Sequence, residues 1–175
     1  IPGLNEIKAN PDGSVSIGAL VSIHTLATDP LMRGRYPALV EACRSFGSTQ
    51  IEVMGTIGGN LCNGSPAADS VPALIAAGAV ARIVGPKGKR DVAVENIITG
   101  PGKTALAKGE TLASLFFSKR TARSGDAYLR FTPRTEMDIA VVGAGVNLTL
   151  NAKGICTAAR VCLGAVAERA FLVPE

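Results

Sequence analysis

The chain has 175 residues, enough for one sizeable domain or for one domain and part of a second. Hydrophobic residues make up 47% of it and charged residues 18%, which excludes an intrinsically disordered chain. The longest uncharged apolar run covers 11 residues, 71–81, and a membrane-spanning helix needs about 18, so no membrane association is expected. Lysine and arginine exceed the acidic residues by 18 to 14, a net charge of +4 that suits an anionic small ligand or an acidic partner. The basic residues are scattered and the aromatic residues form no stacking stripe, so nucleic acid is not an expected partner.

The predicted elements, in chain order, are short strands mixed with two helices. A helix is predicted over 36–46, where Pro37 lies in the first turn and Gly47 follows as the cap. A second helix is predicted over 69–77, with Asp69 at its N-terminus, where the positive end of the helix dipole stabilises a carboxylate. Strands are predicted over 15–19, 79–84, 90–94, 112–117 and 127–131, followed by a long hairpin of 138–150 and 155–166.

This mixture of helices with antiparallel hairpins predicts an α+β class rather than a regular βαβ series. A domain boundary is expected in the polar stretch 119–126, which divides the chain into 1–122 and 123–175. The chain starts at Ile1 and ends at Glu175, and both ends look cut from a longer protein.

The cysteines match no known metal-binding pattern. Their spacing fits neither a zinc site nor an iron–sulfur site, so no metal is expected in this chain. No signal peptide is visible, and we therefore expect a cytoplasmic protein with reduced, mostly buried thiols. The four are Cys43, Cys62, Cys156 and Cys162.

The most informative segment is 55–69, which holds four glycines in its first ten residues among threonine, asparagine and serine. Glycines allow backbone N–H groups to converge and a ligand to approach closely, as in a cradle for phosphate or for a flat polar ring. A tight turn before a capped helix explains the same composition without any ligand. The single histidine, His24, has no evident nucleophile or metal-ligand companion, so no acid–base machinery is predicted in this chain.

Thr56-Ile57-Gly58-Gly59-Asn60 followed by Ser65-Pro66-Ala67-Ala68-Asp69 resembles the flavin-binding signature of the molybdenum hydroxylases. This family includes xanthine dehydrogenase and the medium subunit of carbon monoxide dehydrogenase. Weaker likenesses lie at Gln50 and at 17–19, 128–140 and 159–166. The resemblance implies the second lobe of a two-lobed FAD-binding domain of the PCMH and vanillyl-alcohol-oxidase type over 1–122. It also implies the start of a small α+β C-terminal flavoprotein domain over 123–175. The family's other flavin loop would precede Ile1.

The resemblance further implies an oxidoreductase subunit that carries FAD and contributes no catalytic residue of its own. Its partners would be a small subunit with [2Fe-2S] clusters and a large subunit with molybdopterin, in a hetero-oligomer. Electrons would pass from the clusters to the flavin, and from there to NAD, oxygen or another acceptor.

The resemblance also assigns roles to particular positions. The backbone around Gly58 and Gly59 and the amide of Asn60 would contact the diphosphate and ribityl region. Asp69 would bind the sugar-like chain or the ring edge, Arg130 would lie near the pyrimidine edge, and Leu112 would pack on the ring. The implied cofactor-binding residues are Thr56, Ile57, Gly58, Gly59, Asn60, Asp69, Leu112 and Arg130.

One departure from the family leaves alternatives open. Relatives often carry Arg-Asn where this chain has Glu52-Val53, an exchange of cation for anion that bears on the electron acceptor. A flavin-free interaction module of the same fold is therefore a second interpretation. A vanillyl-alcohol-oxidase-type flavin enzyme is a third, although His24 is poorly placed for a covalent tether.

Overall fold

A computed structural model of the chain describes residues 3–134 and 137–174, and these contain two larger antiparallel sheets, a two-stranded antiparallel sheet and several short helices. The helices are α1 Ile23–Thr28, α2 Pro30–Arg35, α3 Pro37–Arg44, α4 Thr49–Met54, α5 Ile57–Cys62 and α6 Ser70–Ala76, with a 3-10 turn at Val94–Asn96. The strands are β1 Ile7–Ala9, β2 Val15–Gly18, β3 Val80–Gly85, β4 Gly88–Ala93, β5 Ile98–Gly100, β6 Lys103–Thr104, β7 Thr111–Phe117, β8 Ser124–Phe131, β9 Val142–Leu150, β10 Cys156–Gly164 and β11 Phe171–Leu172.

The first sheet has the order β1-β2-β7-β3-β4, and every neighbouring pair in it is antiparallel. Its central strands alternate in burial, so that Ile17, Ile83 and Leu115 point into the core with at most 1% of their surface exposed. The buried faces of the helices, Leu39 and Leu74 among them, belong to the same core.

Proline and capping side chains define where the short helices begin. Ser22 caps α1 by accepting a hydrogen bond from the N–H of Thr25 at 3.0 Å. Asp29 caps α2 by accepting from the N–H of Met32 at 2.9 Å, and a proline occupies the first turn of both α2 and α3. Local chemistry therefore defines where these helices start.

The second sheet has the order β11-β10-β9-β8 and packs one face on α3 and α6. Gly145 in β9 makes this close approach possible, because a Cβ at that position would lie 2.5 Å from the carbonyl oxygen of Pro72 in α6. Along a strand of this sheet, residues that face the helices alternate with residues that face outward. Along β8, Tyr128 and Arg130 face inward, and Leu129 and Phe131 face outward.

The α+β class predicted from the sequence is confirmed, as are the two longer helices and the long hairpin. The predicted helix over 69–77 is α6, with Asp69 as its N-cap. The first strand of the hairpin starts later than predicted, at Val142 rather than at residue 138. Helices α1, α2, α4 and α5 were not predicted, because each has six residues and so contains too few turns to show a periodic pattern.

The thiols differ in exposure, although all four are free. Cys43 and Cys162 are buried and Cys62 is half-buried, in agreement with the expectation of mostly buried thiols, whereas Cys156 is exposed on β10. Among residues 3–134 and 137–174, no group of three or more histidines, cysteines or acidic residues could hold a metal ion. Within the same described ranges, no helix is both long and apolar enough to cross a membrane.

Candidate functional site

The glycine-rich segment forms the short helix α5 rather than an open loop. Thr56 is its N-cap, and the Thr56 hydroxyl accepts a hydrogen bond from the N–H of Gly59 at 3.1 Å. The N–H of Ile57 donates to the carbonyl of Val21 at 3.0 Å, which fastens the start of α5 to the chain that follows β2. The start of this segment is therefore held in place by a backbone hydrogen bond to the chain after β2.

The amides of this segment are largely used by the protein itself. The N–H of Gly58 donates to the carbonyl of Ala19 at 2.9 Å, and the N–H of Asn60 donates to the carbonyl of Thr56 at 2.9 Å. With the Gly59 amide bonded to the Thr56 hydroxyl, neither glycine amide is free to grip a diphosphate. The amide of Gly58 is used in packing on Ala19 and that of Gly59 in the helix cap, and the predicted contact of these two glycines with the flavin diphosphate stays a prediction.

Other groups of the same segment remain open to a ligand. Gly59 is exposed, and a Cβ there would meet only the Thr56 hydroxyl within 4 Å, so a ligand could approach this backbone closely. The N–H of Thr56 and the side-chain NH₂ of Asn60 donate to none of the residues that the structure describes. The Asn60 carbonyl oxygen accepts from the Ser70 hydroxyl at 2.5 Å, which orients the NH₂ group.

Asp69 lies at the start of α6 with both carboxylate oxygens engaged. The Tyr128 hydroxyl donates to Oδ1 at 2.8 Å, and Nη1 of Arg130 donates to Oδ2 at 3.0 Å. The side chains of Asp69 and Arg130 are 11% and 15% exposed. Burial raises the pKa of Asp69, whereas the hydrogen bonds from Tyr128 and Arg130 and the charge of Arg130 act to lower it. Burial, followed by the charge of Asp69, raises the pKa of the Tyr128 phenol, which stays a donor.

A polar cleft of about 600 Å³ borders this group of side chains, and Arg130 is part of its wall. Gln50 and Glu52, two positions that the sequence singled out, also line it. Glu52 Oε2 lies 3.6 Å from Nδ1 of His24, which gives the single histidine an acidic neighbour. Further lining groups are the Phe46 ring and the hydroxyls of Ser45, Ser48, Thr49 and Thr132. Arg130 therefore connects the carboxylate of Asp69 with an open, mostly polar space.

The structure places the remaining candidate residues in the interior. Ile57 is fully buried, and Gly58 is buried against Ala19. Leu112 is 6% exposed, pairs with Ile83 across the first sheet and belongs to the core. These three residues therefore belong to the interior and not to the open surface of the site. Little of the Leu112 surface is open, and its contact with a flavin ring stays a prediction.

Sequence reasoning missed Glu41, and it included Tyr128 only as the first residue of the likeness at 128–140. The N–H of Tyr128 donates to Oε2 of Glu41 in α3 at 2.7 Å, while its hydroxyl donates to Asp69. Strand alternation offered one signal for Tyr128, since residues 128 and 130 must share a face if 127–131 is a strand. No local pattern indicates that this face meets the start of α6.

Comparison with known proteins identifies the family. Residues 1–117 match the family described as FAD binding domain in molybdopterin dehydrogenase, and residues 127–175 match the CO dehydrogenase flavoprotein C-terminal domain. The chain therefore belongs to the FAD-binding subunits of the molybdenum hydroxylase family, which are oxidoreductase flavoproteins.

Particular relatives agree with this assignment. The chain is 33% identical over 149 residues to the xanthine dehydrogenase FAD-binding subunit of Escherichia coli O157:H7, covering 85% of this chain and 51% of that protein. It is 33% identical over 161 residues to the carbon monoxide dehydrogenase medium chain of Afipia carboxidovorans, covering 92% of this chain and 55% of that one. The structure of reconstituted CO dehydrogenase from Oligotropha carboxidovorans superimposes with a TM-score of 0.91 at 31% identity, covering 98% of this chain and 59% of that one. The chain thus spans between half and three fifths of the length of these relatives.

Proposed function

We propose that the protein containing this chain is the FAD-binding electron-transfer subunit of a molybdenum-containing hydroxylase. It would receive electrons from [2Fe-2S] clusters in a small partner subunit and pass them to an acceptor such as NAD or oxygen. The substrate would be hydroxylated at molybdopterin in a large partner subunit. The observation that carries the proposal is the Asp69 carboxylate, held between Tyr128 and Arg130, because Arg130 also lines a polar cleft.

The residues present fit FAD through side chains more than through the glycine amides. The free lone pairs of Asp69 can accept hydrogen bonds from ribityl hydroxyls or from a ring N–H. The Thr56 N–H and the Asn60 NH₂ can donate to phosphate oxygens, and the open backbone at Gly59 leaves room for them. Bound FAD supplies one- and two-electron redox chemistry. Arg130 provides a cation that stabilises the negative charge a reduced flavin carries at its pyrimidine edge.

The proposed site draws on both domains. We place their boundary between residues 122 and 123, inside the stretch 118–126 that separates the two family matches. Asp69 belongs to the first domain, whereas Tyr128 and Arg130 come from β8 of the second. Flavin affinity is therefore expected to depend on how the two domains pack.

The test is the flavin content of the full-length subunit, purified together with its partners. We expect a visible flavin band that is nearly stoichiometric with protein, and its absence would overturn the proposal. Replacing Asp69 with alanine should weaken flavin binding by about 1–3 kcal/mol, the usual cost of losing a charge-assisted hydrogen bond. Asp91→Ala, at an exposed carboxylate on β4 that pairs with Arg82, is the control and should leave flavin content unchanged.

A flavin-free interaction module is the second candidate function. The consumed amides of Gly58 and Gly59 favour it, because a binding segment that satisfies its own donors has fewer groups left for a ligand. The same measurement separates the two candidates: a purified complex that lacks flavin but keeps its partner subunits would support the module. The vanillyl-alcohol-oxidase alternative gains no support from the family matches.

The electron acceptor depends on the charges beside the flavin. Glu52, at the position where relatives often have arginine, lines the cleft with Arg130 and keeps 17% of its side chain exposed. A negative group there disfavours added electron density on the ring and repels anionic acceptors. Reduction of NAD and of oxygen by the assembled enzyme, compared between wild type and Glu52→Gln, would show which acceptor this carboxylate selects.

A further inference from the structure

We propose that Tyr128 is a positioning residue that holds the Asp69 carboxylate in the orientation FAD binding requires. The second domain would then complete the flavin site by fixing a side chain of the first. This inference rests on the proposed function, and it adds a role for a residue that the resemblance to the family does not assign.

The geometry at Asp69 fixes the rotation of its carboxylate. A tyrosine hydroxyl has one hydrogen, and Tyr128 gives it to Oδ1 at 2.8 Å. Arg130 binds the other oxygen at 3.0 Å, so both ends of the carboxylate are held. Each oxygen retains a further acceptor position, and these are the positions that a ligand hydroxyl or N–H can use. Without Tyr128, the carboxylate could turn about the single contact to Arg130.

Tyr128 is itself locked by its surroundings. It is 4% exposed, and its backbone N–H donates to Glu41 of α3 at 2.7 Å. Gly143 on the neighbouring strand lies against the ring, because a Cβ there would come 2.7 Å from the Tyr128 hydroxyl oxygen. The hydroxyl therefore reaches Asp69 from a rigid base rather than from a mobile side chain, as a positioning residue must.

The charges around Asp69 predict the direction of the pH effect. Arg130 and Tyr128 contact it from β8, and the charge of Asp69 also acts on the Cys43 thiol of α3. Burial raises the pKa of Cys43 to about 12, so this thiol is neutral near pH 7. Removing the Tyr128 hydroxyl takes away a hydrogen bond that lowers the pKa of Asp69, and that pKa therefore rises. The ionised carboxylate is the form that accepts hydrogen bonds at both oxygens. When the pH is lowered, a variant without the Tyr128 hydroxyl should therefore release flavin at a higher pH than the wild type does.

The experiment compares flavin affinity of the full-length subunit across about pH 5 to 8 in the wild type and in Tyr128→Phe, by recovery of flavin fluorescence on release. We expect affinity to drop about tenfold in the variant and the release midpoint to move to higher pH. Tyr36→Phe is the matched control, because Tyr36 is also buried, at 2% exposure, and its hydroxyl donates to the carbonyl of Ser118 at 3.2 Å instead. It should bind flavin as the wild type does.

A double-mutant cycle with Asp69→Ala separates positioning from a general loss of folding. If Tyr128 acts through Asp69, its removal should cost little in the Asp69→Ala background, where no side-chain oxygen is left to accept from it, whereas an independent structural effect would persist there. A wild-type subunit without flavin would overturn the proposed function together with this inference. A flavin-containing wild type with an unchanged Tyr128→Phe affinity and pH profile, or with additive effects in the cycle, would overturn the positioning role alone.

Discussion

At the scale of single residues, Asp69 and Glu110 show how environment sets the chemistry of a carboxylate. Desolvation is the largest influence on Asp69, and it raises the pKa of that group in spite of two donors. Glu110 accepts from Nε and Nη2 of Arg90 at 2.8 and 2.7 Å, and also from the N–H of Ala107. These hydrogen bonds lower the pKa of Glu110 to about 2.

We expect the Glu110–Arg90 pair to stabilise the fold in a pH-dependent manner. Because the folded-state pKa of Glu110 lies below its value in the unfolded chain, its contribution is complete above about pH 4.5 and is lost as the pH falls towards about 2. Urea unfolding should show Glu110→Gln to be less stable than wild type at pH 7, with a difference that shrinks below pH 4.5. Both partners lie at the surface, so added salt should also reduce it.

Glu6→Gln provides the control for this pair, because it removes the same charge at an exposed position of the first domain. Its urea midpoint should stay close to that of the wild type at both pH values. A Glu110→Gln variant with the same loss of stability at pH 7 and at pH 3 would contradict the argument.

At the scale of elements, helix α5 needs a glycine at position 58 because a side chain there would collide with Ala19, and not because the backbone conformation requires one. A Cβ at Gly58 would lie 2.6 Å from the carbonyl oxygen of Ala19 and 2.7 Å from its Cβ, and the oxygen belongs to a backbone that cannot easily move. Gly34 lies in α2 with nothing within 4 Å of an added Cβ. The two glycines therefore test the same substitution in opposite settings.

We expect Gly58→Ala to destabilise the first domain by about 1–3 kcal/mol, since α5 must shift away from Ala19 and weaken its amide hydrogen bond. Gly34→Ala should instead stabilise it by about 0.5–1 kcal/mol, because alanine restricts the unfolded chain and suits a helix. Chemical denaturation of both variants measures these changes. Equal effects at the two positions would show that packing against Ala19 does not control α5.

At the scale of the whole molecule, the two domains are joined by polar contacts as well as by packing. Arg160 of β10 donates to the carbonyl of Ile75 at the end of α6 and to Glu95 at 2.9 Å. Tyr128 of β8 donates its N–H to Glu41 of α3 at 2.7 Å. The contacts of Arg160 with Ile75 and of Asp69 with Tyr128 and Arg130 hold one face of the second sheet against α6.

We expect Gly145→Ala to disturb both this junction and flavin binding. The new methyl group would meet the backbone of Pro72 and push β9 away from α6, and β8 with Tyr128 and Arg130 would follow. The unfolding temperature and the flavin content should both fall. Gly125→Ala on β8 is the matched control, because nothing lies within 4 Å of its added Cβ. A Gly145→Ala protein that keeps its full flavin content would show that the junction does not govern the site.

The sequence by itself determined the features that depend on local chemistry. Capping and hydrophobic spacing located α3 and α6, alternation and turn residues located the long hairpin, and the resemblance of 56–69 to a flavin-binding signature identified the family. Asp69 could be placed at a helix start because helix ends carry local signals.

Only the tertiary structure decided what the candidate residues contact. The Tyr128 hydroxyl reaches Asp69 across 59 positions of sequence, and the amide of Gly58 donates to the carbonyl of Ala19 in the turn that follows β2. No short-range pattern encodes either contact, because each arises where the packing of sheets on helices brings distant backbone together. The glycine pattern therefore did not indicate which amides of 55–60 the protein itself uses, and Asp69 gained its hydrogen-bond partners from β8 of the second domain.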